Sequence, residues 1–118
     1  GADVFVIGVG DSLFANPDVI SDFTTGVDDI SFANFGPGDV AFIADGSALN
    51  FAAMVAAADV NMLGGFNDVQ VFWNAAGSGD AFVFHDTNGN GVWDQASDEF
   101  VVLTGINLAA EIAAGDFI

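Results

Sequence analysis

With 118 residues the chain is long enough to bury one core and too short for two, so it reads as a single domain over 1–118. Hydrophobic residues make up 53% of it, yet no apolar run approaches the ~20 residues that cross a bilayer, which excludes a membrane-spanning helix. Seventeen acidic side chains face no lysine and no arginine, giving a formal charge of −17, and nucleic acid, which is gripped through basic side chains, is excluded as a partner.

Fifteen of the acids are aspartate and two are glutamate, a skew that points to turns, where short carboxylates bond to backbone or to metal. The absence of cysteine removes disulfides, thiolate metal sites and thiol chemistry, and leaves Ca²⁺ as the external staple for an acidic, oxygen-rich, extracellular domain. The chain opens Gly1-Ala2-Asp3 without a basic leader region, as expected of a cleaved or partial secreted polypeptide.

Val4 to Val9 is β-branched and aromatic and ends at Gly10-Asp11, which predicts a buried strand and a turn. Val19 to Phe23 and Asp29 to Phe32 read as short strands around the acidic bend Thr24 to Asp28, and Val40 to Ile43 as a strand after the Phe35 to Asp39 turn. Between Ser47 and Ala58 the residues Phe51, Met54, Val55 and Ala58 fall at i, i+3, i+4 and i+7, which predicts a helix capped by Ser47 with that stripe in the core. Beyond Gly64-Gly65, three strands are predicted at Val69 to Trp73, Asp80 to His85 and Glu99 to Thr104, paired antiparallel. A short helix from Leu108 to Ala114, capped by Asn107 and stopped at Gly115, ends the chain. The expected class is therefore mainly all-β, an antiparallel sandwich-like domain with one or two short helices.

The sharpest local motif is Asp86-Thr87-Asn88-Gly89-Asn90-Gly91-Val92-Trp93-Asp94, with oxygen side chains at positions 1, 3, 5 and 9 and glycine at position 6. Alternate residues of such a loop point inward, the Val92 carbonyl supplies position 7, and Gly91 allows the sharp turn, so a calcium loop is expected. Position 12 is Ser97, with Asp98 one place later, and the flanks are strands, so this is a loop on a β-hairpin rather than an EF-hand. Two asparagines in place of aspartates put its expected affinity near the extracellular range of about 10⁻⁴ to 10⁻³ M. The competing reading is a plain Asn-Gly hairpin turn. Asp18, Asp22, Asp28 and Asp29 form a second acidic knot, which fits either converging loop carboxylates or a solvated edge that discourages aggregation.

Gly1-Ala2-Asp3-Val4-Phe5 resembles the second half of the glycine-rich nonapeptide repeat of RTX (hemolysin-type) calcium-binding proteins, with Asp3 at the repeat's aspartate. Asp18 to Ile30 is similar to the D-x-I-x-D-F-x-x-G-x-D-x-I segment that follows the last repeats of that family, and Gly115-Asp116-Phe117-Ile118 resembles the C-terminus of type I secretion substrates. The resemblance implies a β-roll edge over 1–32 continued antiparallel through 33–118, and folding on calcium after passage through the type I export machinery. It also implies Asp3, Asp18, Asp22 and Asp28 as calcium ligands beside the set Asp86, Asn88, Asn90, Val92, Asp94 and Asp98. No complete nonapeptide is present, so Asp3 holds half of a roll site.

His85 has no serine or second histidine placed with it by motif, and no basic residue orients an anionic substrate, so a non-enzymatic protein is expected. Two settings fit: a calcium-stabilised subunit that self-associates in a fibre or surface layer, secreted to the cell surface, or the C-terminal folding and export module of a larger secreted enzyme or adhesin. A third, a sugar-binding sandwich, would need Trp73 and Trp93 as exposed stacking platforms, where tryptophans more often fill a core.

Overall fold

The computed structural model describes all residues, 1–118. Seven strands and one helix follow in chain order: β1 (Val4–Ile7), β2 (Asp18–Ile20), β3 (Asp29–Phe32), β4 (Ala41–Asp45), α1 (Phe51–Asn61), β5 (Val69–Trp73), β6 (Ala81–His85) and β7 (Glu99–Leu103). Five strands form one mixed sheet in the order β2-β7-β6-β5-β4, and β1 and β3 form a parallel pair. β5, β6 and β7 pair antiparallel with their neighbours in sequence, while the edges β2–β7 and β4–β5 are parallel. The expectation of a wholly antiparallel continuation holds for the central meander and not for the edges, because β2 and β4 reach their neighbours through long connections.

The large sheet is buried on both faces, and each face has its own chemistry. Val69, Val71, Ala81, Val83, Val101 and Leu103 point one way and pack with Ile7, Ile30 and Phe32 of the β1/β3 pair. Phe72, Phe84 and Phe100 point the other way and pack with Met54 and Ala58 of α1, with Met62 just after it and with Trp93. The molecule thus has three layers, small sheet, large sheet and helix, and the apolar runs in β5 to β7 are continuous because both faces are covered. On the helix side the rings meet mostly edge to face, with Phe84–Trp93 centroids at 4.9 Å and Phe84–Phe100 at 5.1 Å. Trp93 is buried and its indole N–H donates to the Glu99 carbonyl, so it fills core and offers no stacking platform.

α1 starts three residues later than the Ser47 cap implies. The Asp45 carboxylate takes the Ser47 N–H at 2.8 Å and holds a turn there, leaving Asn50 to cap through its contact with the Ala53 N–H at 2.8 Å. The helix predicted over 108–114 is replaced by two 3₁₀ turns, Ala109–Glu111 and Ala114–Asp116. Glu111 accepts the N–H groups of Asn107 and Leu108 and Asp116 accepts that of Ala113, so each acid closes its own short turn, and the extended backbone of Ile112 and Ala113 between the two turns interrupts the helix.

The C-terminal segment closes one end of the space between the sheets. Ile112 and Phe117 join the core, the Ile118 N–H donates to the Ile30 carbonyl, and Asp116 accepts the Gly26 N–H and the Thr25 hydroxyl. Asp116→Ala is expected to cost about 1–3 kcal/mol by leaving these partly buried donors unpaired, read as a lower urea midpoint; an unchanged midpoint would contradict this role.

Candidate functional site: an acidic loop closed on its own backbone

The missing lysines and arginines are replaced by main-chain N–H groups. Every carboxylate except those of Asp3, Asp18, Asp22, Asp29 and Asp94 accepts at least one backbone N–H. Such charge-assisted bonds are short and are stronger than neutral ones.

The loop between β6 and β7 concentrates this device. Asp86 is buried and accepts the N–H of Gly89 at 3.0 Å through one oxygen and that of Gly91 at 2.8 Å through the other. Asn88 accepts the Asn90 N–H, Asn90 accepts the Val92 N–H, and the Asn90 amide donates to Asp94 at 3.2 Å. Asp98, also buried, accepts the N–H groups of Thr87 at 3.1 Å and Asp94 at 2.7 Å. Gly91 is required twice over: its φ is +82°, and a Cβ there would lie 2.8 Å from the Gly64 nitrogen. The loop therefore rests on the Gly64-Gly65 turn, where the Gly65 N–H donates to the Gly89 carbonyl at 2.7 Å.

Burial pushes the Asp98 carboxyl up to about 6, against the pull of the Asp94 and Thr87 N–H groups, and the neighbouring Asp86 and Asp94 push in the same direction. Asp86 is likewise raised by burial, opposed by the N–H groups around it. The donor set of three carboxylates, two side-chain carbonyls and the Val92 carbonyl is all oxygen, which suits a hard cation such as Ca²⁺. No group of three or more His, Asp or Glu side chains stands in metal-holding geometry, since the oxygens of Asp86 and Asp98 face backbone donors. The side chains of Asn88, Asn90 and Asp94 sit toward the mouth, with Asp86 and Asp98 at the floor.

The second predicted cluster is dispersed. Asp28 is buried and accepts the N–H groups of Asp3 at 2.9 Å and Thr24 at 2.8 Å, whereas the side chains of Asp3, Asp18 and Asp22 are exposed. Asp28 and Asp98 play the same part. In each case the aspartate ends a five-residue turn, returns its own N–H to the first residue's carbonyl at 2.8 Å, accepts that residue's N–H, and gives its other oxygen to an amide just outside the neighbouring strand. The legible signal is an aspartate, a second acid and an apolar residue opening a strand: Asp28-Asp29-Ile30 and Asp98-Glu99-Phe100.

His85 lies sealed behind the loop. It stacks on Phe32 with ring centroids at 4.4 Å and faces Glu99 across the β6–β7 ladder, Nδ1 to Oε2 at 3.6 Å, both side chains 1% exposed. The other Glu99 oxygen accepts the Gly10 N–H at 2.7 Å. His85→Leu would remove the polar ring facing Glu99 Oε2, which has no hydrogen-bond partner of its own, and is expected to cost about 1–3 kcal/mol; a urea midpoint equal to wild type would contradict the contact.

The pH dependence follows from Asp98. Its carboxyl ordinarily titrates at 3.8 and is raised by folding to about 6, so in calcium-free protein it favours the folded state fully below about pH 4 and loses that contribution as pH rises through about 6. The stability difference between wild type and Asp98→Asn in EDTA is expected to shrink over that window and stay level above it. A difference that grows with pH would contradict the raised value.

No known family model matches the chain, and no curated protein matches it.

Proposed function

We propose that this is a secreted, non-catalytic, calcium-stabilised structural domain, in which Ca²⁺ bound at the loop from Asp86 to Asp98 completes folding outside the cell. The observation that carries the reading is the buried, mutually repelling charge of Asp86 and Asp98 beside Asp94 in a chain with no basic residue to relieve it. Asp86, Asn88, Asn90, Asp94 and Asp98 and the Val92 carbonyl are the groups that would hold the ion, whose charge offsets theirs. Because a cation binds the folded loop better than the open chain, its affinity becomes folding free energy, and folding is gated by the calcium level. The sealed position of His85 supports a non-catalytic role.

The subunit setting, with copies self-associating in a fibre or surface layer, is supported by large apolar side chains left exposed at Val60, Leu63 and Phe66. The module setting, within a larger exported protein of the RTX kind, is supported by the first strands. β1 and β3 run parallel in one sheet while β2, between them in sequence, lies in the other, which is the winding expected of a roll edge. In that setting Asp3, Asp18, Asp22 and Asp28 would be ligands or turn staples of the roll.

The test is a calcium titration after EDTA treatment, followed by circular dichroism and light scattering with magnesium as control. Folding or stabilisation specific to millimolar calcium is expected, with scattering that rises alongside it in the self-associating setting. Asp94→Ala is the cleaner variant, since the Asp94 carboxylate holds the Asn90 amide and no backbone N–H. It is expected to raise the calcium midpoint about tenfold, a loss of ~1.4 kcal/mol. Asp86→Ala should raise the midpoint and also weaken the calcium-free fold. Indifference of the wild type to calcium would overturn the proposal.

A further inference from the structure

The two ends of the space between the sheets differ. One is closed by the C-terminal segment. At the other, β1 pairs only with β3 and β2 only with β7, so each presents a free edge. The Asp29 and Ala33 N–H groups donate to the carbonyls of Asp3 and Ile7, which turns the odd-numbered residues of β1 toward β3 and leaves the backbone groups of Val4 and Val6 facing outward. The Thr104 N–H donates to the Ile20 carbonyl, so Val19 faces outward on β2 by the same alternation. Val4, Val6 and Val19 are 54%, 73% and 61% exposed, and a cavity of about 320 Å³ lies between Phe5–Ile7 and Asp18–Asp22.

Charge singles out the occupant. Apart from Asp94, the carboxylates that take no backbone N–H are Asp3, Asp18, Asp22 and Asp29. Asp18 and Asp22 line this cavity and Asp3 precedes β1, while Asp29 lies across the β1–β3 ladder, away from the free edge. A second copy would bring only more carboxylates to this rim. We propose that the β1/β2 end is a docking edge for an extended, basic segment of a partner protein, which adds a strand to β1, places alternate apolar side chains in the cavity, and brings Lys or Arg to Asp3, Asp18 and Asp22. Backbone pairing supplies the register, the cavity selects apolar residues, and the free carboxylates select positive charge.

The probe is a short synthetic peptide of alternating arginine and valine, added to the full chain in millimolar calcium and followed by fluorescence anisotropy and by amide NMR shifts. Binding that perturbs the amides of Val4, Val6 and Val19 is expected. Val6→Pro removes an outward N–H while sparing the β1–β3 ladder, a position where an edge strand tolerates proline, and should weaken binding about tenfold or more. Val19→Pro tests the second edge, and the same peptide N-methylated on alternate residues tests backbone pairing with the protein unchanged. Equal binding of the N-methylated peptide would reduce the interaction to bulk charge attraction and overturn the proposal. So would shifts confined to the loop from Asp86 to Asp98, or a concentration-dependent dimer that protects the same amides without peptide.

Discussion

The structure depends on one substitution of partners: main-chain N–H groups stand where lysine and arginine would. A chain of net charge −17 repels itself, and burying a carboxylate without a partner costs more than a single domain's margin allows. The buried aspartates therefore sit in turns, Asp86 at the opening of its loop and Asp28 and Asp98 at the close of theirs, where the backbone has donors to spare. Asp28, Asp39, Asp68, Asp98 and Asp116 each accept two or more, and in doing so tie together segments far apart in sequence, such as Val40 to Asp68 and Gly26 to Asp116. The predominance of aspartate over glutamate follows, because the shorter stem reaches an N–H within its own turn.

This arrangement explains both what is rigid and what is left open. The five-stranded sheet separates aliphatic packing on one face from aromatic packing on the other, and the acidic turns fix the ends of its strands. Where the turn donors suffice, as around Asp28, the carboxylate is fully used. Where three carboxylates crowd, as in the loop after β6, the donors satisfy geometry but leave net negative charge in a buried place, and there a divalent cation has most to offer. At the free edges of β1 and β2 no donor is at hand, and three of the five carboxylates without a backbone N–H, Asp3, Asp18 and Asp22, lie there.

Much of the fold was legible in the sequence. The bounds of β3 and β5 and, within a residue, those of β6 and β7 follow from β-branched and aromatic runs between turn residues, and Met54 and Ala58 are buried as their helical spacing requires. The pairing of β2 with β7 and of β4 with β5 was not legible, because long connections carry no register signal. The start of α1 and the form of the C-terminal segment were not legible for one reason: Asp45, Glu111 and Asp116 each close a local turn on neighbouring N–H groups, and residue propensity does not register where extended backbone separates such turns. The oxygen pattern from Asp86 to Asp98 was legible as a loop, but only Asp86 and Asp98 turn inward, whereas Asn88 and Asn90, which the alternation also placed inward, are exposed. The equivalent staple at Asp28 was not distinguished from its exposed neighbours Asp18 and Asp22, since spacing alone does not say which carboxylate turns inward.

The most direct test of backbone donors as the counterions of this chain is amide hydrogen exchange in EDTA at Thr24, Val40, Asn67 and Asp94, whose N–H groups face carboxylates alone. The account predicts protection at these turn amides approaching that of the β5–β6–β7 ladder. Exchange as fast as in open loops, with the ladder still protected, would contradict it.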